Sequence, residues 1–199
     1  MRKVIFATGN ENKLKEIRMI MEDMDIEIVS MKEAGVYVDV EETGTSFEEN
    51  SLLKAKAIAM KSGELTLADD SGLEIDYLNK EPGIYSARYM GEDTSYDIKN
   101  AELLRRMEGV PDEKRSARFV CAVAMVRPDG TSEVVRATME GRVAYEPAGV
   151  NGFGFDPIFF LPEYGCTSSE LSPEDKNAIS HRGKALRMIR EVLEKELNK

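Results

Sequence analysis

A chain of 199 residues is long enough to bury a substantial core and suits a single domain. Its 42% hydrophobic and 32% charged residues exclude a disordered composition, and no apolar run approaches the roughly 20 residues of a membrane helix. The net charge of −10 argues against nucleic-acid polymers as partners, since backbone binding needs clustered Lys and Arg. A small nucleotide needs only a few local cations and a metal.

Met1-Arg2-Lys3 leads at once into a short apolar run, too short for a signal-peptide core, so a cytoplasmic location is expected. Lys3 to Thr8 reads as a buried strand that turns through Gly9-Asn10 into a helix with Leu14, Ile17, Ile20, Met21 and Met24 at helical spacing. Ile26 to Ser30 is a second strand, followed by a polar, acidic segment from Asp39 to Gly44. Ser46-Phe47-Glu48-Glu49 has the form of a capping box and predicts a helix that Gly63 stops. Leu65 to Ala68 is a short strand delivering Asp69-Asp70-Ser71-Gly72 at its end. Thr94 to Met107 predicts a helix. Arg118–Val126 and Ser132–Val143 read as a hairpin around Pro128-Asp129-Gly130. A Gly-rich loop from Asn151 to Asp156 follows. Ser172-Pro173-Glu174 opens a helix with Pro in its first turn, and Leu186, Ile189, Val192, Leu193 and Leu197 form a C-terminal apolar stripe. Cys121 lies in an apolar run and Cys166 in a loop, a spacing that makes neither a metal knuckle nor a disulfide framework. Hairpin and strand–helix alternation together indicate an α/β chain with a mixed sheet.

Four groups of residues could carry chemistry, and each has a plainer reading. Thr8-Gly9-Asn10-Glu11-Asn12-Lys13 turns a strand into a helix, which suits an anion through backbone N–H groups, the helix dipole and Lys13; it also suits a capped helix with a solvated lysine. Glu41-Glu42 with Asp69-Asp70 supplies the hard oxygens that Mg²⁺ prefers, or else turn and cap residues before Gly72. Neighbours on a strand point to opposite faces, so one Asp of the pair would face a metal and the other would accept hydrogen bonds. Gly152-Phe153-Gly154-Phe155-Asp156-Pro157 could stack a purine on an aromatic ring while Asp156 accepts from a ring N–H, or it could plug the core. Lys176 and Ser180-His181-Arg182 hold the only histidine of the chain, which is structural or catalytic. Lys54, one turn after Asn50, is a phosphate contact or a solvated lysine.

In this order the motifs resemble the inosine/xanthosine triphosphate pyrophosphatase family, also called Ham1-like. The matching stretches are 7–13, 41–44, 47–50, 68–73, 82–88, 153–159 and 180–186, so the resemblance spans residues 4 to about 190. It implies one domain over residues 1–199, with an elongated, mixed, twisted sheet flanked by helices and two lobes around a central nucleotide-binding cleft, as a homodimer. It implies Mg²⁺-dependent hydrolysis of ITP, dITP, XTP and dXTP to the monophosphate and pyrophosphate. Residue by residue, Thr8, Gly9, Asn10, Glu11, Asn12 and Lys13 would bind the triphosphate and Lys54 a phosphate. Glu42 and Asp70 would carry the metal, Asp70 accepting the proton of the attacking water, and Ser71 would touch substrate. Phe153, Gly154, Phe155, Asp156, Lys176, His181 and Arg182 would enclose the nucleotide. Arg182 or a loop N–H would donate to a purine 6-oxygen, where adenine presents a donor instead. A hydrolase for modified pyrimidine nucleotides and a nucleotide-binding regulator without turnover are the alternatives.

Overall fold

The computed structural model describes residues 2–198. In chain order its regular elements are β1 (Arg2–Phe6), α1 (Glu11–Ile20), β2 (Ile26–Ser30), α2 (Phe47–Ser62), β3 (Thr66–Ile75), α3 (Tyr96–Arg106), β4 (Ser116–Val126), β5 (Ser132–Val143), β6 (Phe159–Leu161), β7 (Cys166–Thr167), α4 (Pro173–Ile179) and α5 (His181–Leu197). The strands form one seven-stranded sheet in the order β2-β1-β3-β4-β5-β6-β7. It is mixed, as the alternation of elements predicts: β1 runs parallel to β2 and β3, whereas β6 runs antiparallel to β5 and β7. No helix among the described residues is long and apolar enough to cross a membrane.

The chain divides into two compact units. The first comprises residues 1–70, 121–137 and 181–199, the second residues 71–120 and 138–180. In the first unit the two-residue period of the strands sorts side chains onto opposite faces of the sheet. Val4, Phe6, Leu67, Cys121, Val123 and Met125 pack with Leu14 and Ile17 of α1 and with Ala185, Leu186, Ile189 and Leu193 of α5. Their neighbours Ile5, Ala7, Ala68, Ala124 and Val126 pack with Ala55, Ile58 and Ala59 of α2. The buried residues of α1, α2 and α5 recur every three or four positions, so each helix lays one stripe on the sheet. In the second unit Leu73 and Ile75 of β3, Leu103 and Met107 at the end of α3, Phe119, Val143, Phe155 and Phe159 form a separate core.

Several sequence expectations change. The turn expected at Asp69–Gly72 does not form. The strand begins at Thr66 and continues to Ile75, because Leu73 and Ile75 are fully buried and carry the alternation onward. Asp69 and Asp70 are therefore interior residues of a ten-residue strand rather than its end. Cys166 lies in β7, not in a loop. Ser46 caps α2 through its hydroxyl, accepting from the Glu49 N–H. Glu49 answers with a bond to the Thr45 N–H, one residue before the position a strict capping box would use.

Candidate active site

The site is built from the register of β3. Leu67 faces α1 and α5, so Asp69 two residues on shares that face; Ala68 faces α2, so Asp70 does too. Asp69 meets Lys13 of α1, whose Nζ stands 2.9 Å from Oδ2, and Arg182 of α5, whose Nε donates to the same oxygen at 3.3 Å. The Arg182 guanidinium also donates to Glu16 Oε2 at 2.7 Å. Asp69 is 1% exposed, and burial alone would raise its pKa. Lys13 and Arg182 outweigh that and hold the carboxyl well below its usual range. Arg182 is buried too, which alone would lower its pKa, but Asp69 and Glu16 keep it firmly protonated.

Asp70 has the opposite character. Burial pushes it up to about 6 against the pull of Lys54, and the negative charge of Glu42 adds to the rise. Lys54 Nζ lies 2.7 Å from Glu42 Oε1 and 3.8 Å from Asp70 Oδ1. Although burial disfavours its charge, Asp70, Asp69 and Glu42 together raise its pKa. Asn50, fully buried in the first turn of α2, accepts the Gly44 N–H at 2.8 Å, and its amide beside Asp70 favours the ionised carboxyl. The sequence places Asn50 in the 47–50 motif and one turn before Lys54 without a role of its own, and gives Glu16 none. Their signal was positional: each lies one helical turn from a named lysine, Asn50 before Lys54 and Glu16 after Lys13.

Among the described residues no group of three or more His, Cys, Asp or Glu is placed to hold a metal ion. Glu42 and Asp70 nevertheless fit a divalent cation. They are hard oxygen donors already facing a common positive charge on Lys54, and two carboxylates leave coordination positions for water and phosphate.

At the start of α1, the Asn10 side chain accepts from the backbone N–H groups of Asn12 (2.9 Å) and Lys13 (3.4 Å), and the Thr8 hydroxyl accepts from the Asn10 N–H. The segment is therefore self-capped, contrary to the expectation of N–H groups standing open to an anion. Gly9, Asn10, Glu11 and Asn12 are exposed, and Thr8 and Lys13 are half-buried. Ser71 follows Asp70 in β3, half-buried, and His181 opens α5, buried.

In the second unit the Phe153 loop departs from the two-aromatic reading. Phe155 is a core residue, 4% exposed, with its ring edge-on to Tyr96. Asp156 is turned inward, accepting from the Phe153 N–H (2.9 Å), the Ser168 hydroxyl (2.6 Å) and Lys176 Nζ (2.5 Å). Both residues act inside the loop rather than on a base, which leaves Phe153, half-buried under the Lys176 ammonium, as its accessible ring. Gly152 is required here. It takes a positive φ of 75°, and a Cβ would run into the Asp156 carboxylate.

The site is thus a mixed α/β sheet that sets two adjacent carboxylates against separate lysines on its opposite faces. The Ham1 family profile matches residues 4–192. The dITP/XTP pyrophosphatase of Vibrio cholerae is 46% identical over 98% of this chain and 98% of its own, and that of Clostridium perfringens 45% over 97% and 98%. A HAM1 protein from Coxiella burnetii has the same fold, with TM-score 0.90 and 40% identity over 98% of this chain and all of that one. The chain belongs to the Ham1 family.

Proposed function

We propose that the chain hydrolyses ITP, dITP, XTP and dXTP to the nucleoside monophosphate and pyrophosphate, and so clears these nucleotides from the cytoplasmic pool. The observation that carries the reading is the division of Asp69–Asp70 across β3, Asp69 locked by Lys13 and Arg182 and Asp70 set on the other face beside Lys54 and Glu42. Glu42 and Asp70 would hold Mg²⁺. A bound Mg²⁺ neutralises phosphate charge and lowers the pKa of water.

The chain's own residues do the rest. Asp70, on the face of β3 toward Lys54 and Glu42, would take the proton from the attacking water. Water adds to phosphorus, the anhydride bond between the α and β phosphates breaks, and its electron pair leaves on pyrophosphate. Lys13 and Lys54 stabilise the charge that develops on the phosphoryl oxygens. Phe153 offers a face for the purine. Because Arg182 is engaged with Asp69 and Glu16, donation to the 6-oxygen falls to the loop backbone.

The test is a panel of dITP and XTP against dATP, dGTP and modified pyrimidine triphosphates, with and without Mg²⁺. Pyrophosphate released from dITP and XTP, only with Mg²⁺, is expected. A preference for the pyrimidines would move the reading to their hydrolases. The family resemblance also supports a homodimer, for which light scattering should give twice the chain mass.

A further inference from the structure

The loop carrying Phe153 is held from two sides. Asp156 and Lys176 fix it from within and from α4; the other support comes from α3. Asn100, 5% exposed, donates from Nδ2 to the Gly154 carbonyl at 3.1 Å. Tyr96, one turn earlier, lies edge-on to Phe155 at 5.2 Å, and its ring would sit 3.5 Å from a Cβ placed on Gly154. Tyr96 is itself steadied by Lys99, whose Nζ stands over the ring at 4.8 Å and donates to the Ala87 carbonyl at 2.7 Å.

Asn100 is expensive for what it does. Its Oδ1 is buried and has no hydrogen-bond partner among the described residues. An unmatched buried acceptor costs stability, and a leucine, with the same branched shape and no polar atoms, would avoid that cost. An amide kept there for a single bond to a loop carbonyl is kept for the loop.

We infer that Asn100 is a positioning residue for base recognition: by holding the Gly154 carbonyl it fixes the Phe153 ring, setting base affinity without touching the phosphates. This rests on the reading of Phe153 as the base-contacting ring. The experiment compares Asn100→Leu, Phe153→Ala and the double variant with dITP as substrate. Inorganic tripolyphosphate, which has no base, serves as a competitive probe.

Asn100→Leu should raise KM for dITP about tenfold with kcat within about twofold, an effect on binding shared by ground and transition states. The tripolyphosphate inhibition constant should stay unchanged. The double variant should bind dITP no worse than Phe153→Ala, because the two residues act as one unit. If the leucine variant does not fold, Asn100→Asp, which turns an acceptor toward the Gly154 carbonyl, must raise KM in the same way. A raised KM in Phe153→Ala beside an unchanged KM in the Asn100 variants overturns the inference alone. Weakened tripolyphosphate binding in the Asn100 variants overturns it too, as a general structural effect. An unchanged KM in Phe153→Ala overturns the reading beneath it.

Discussion

Asp69 and Asp70 share a peptide bond but not a charge environment, so their amide variants should fail differently. Asp70→Asn keeps the shape of the side chain and removes the proton acceptor, and pyrophosphate release should fall by about 10²–10⁴-fold. Unchanged turnover would sink the mechanism. Asp69→Asn instead leaves Lys13, Arg182 and Glu16 to share a buried cluster with its central anion gone. A loss of about 3–5 kcal/mol in denaturant unfolding is expected. The two groups also give opposite pH dependences. Asp70 has a raised folded-state pKa, so between its ordinary 3.8 and about 6 the folded protein binds more protons than the unfolded one. Metal-free protein should therefore lose stability as pH rises through that window, by about 3 kcal/mol in all. The slope should vanish in Asp70→Asn and shrink with Mg²⁺, as unfolding curves in EDTA and in Mg²⁺ from pH 4 to 6.5 would show. Asp69, with a depressed pKa, contributes stability above its ordinary value that is lost as pH falls below about 4.

At the scale of elements, the contact that holds the Glu42 segment is between Gly44 and the first turn of α2. A Cβ on Gly44 would lie 2.6 Å from Asn50 Oδ1 and 2.8 Å from Glu49 Cβ. Gly44→Ala should push the segment off the helix and carry Glu42 with it. The Mg²⁺ concentration for half-maximal activity should rise about tenfold or more, while loss of one well-placed bond costs only about 1 kcal/mol of stability. A Mg²⁺ titration beside a melting curve separates the two. The helices that frame the site are held by ordinary packing. Ile58, fully buried on the face of α2 toward the sheet, should cost about 2–5 kcal/mol when cut to Ala, measured by denaturant unfolding.

For the molecule as a whole, the charge of −10 makes long nucleic acids poor partners, and labelled duplex DNA should show no anisotropy change at physiological salt. The order of elements as far as β5, the mixed sheet, the hairpin, the Ser46 cap and the acidic and glycine motifs were legible in the sequence, whereas the short strands β6 and β7 were not. Periodicity, caps and turn residues are local properties, and they survive folding. The alternation rule even foretold that one Asp of the pair would differ from the other. Which partner each Asp meets could not be read that way. It depends on Leu67 packing toward α1 and α5 and Ala68 toward α2, helices drawn from residues far apart in the chain. The same holds for the continuation of β3 past Gly72, for Phe155 as core and for Arg182 as the partner of Asp69. Each follows from burial, and burial is set by contacts between distant segments. Local pattern names the residues able to do the chemistry, while long-range packing sets the charge each one carries.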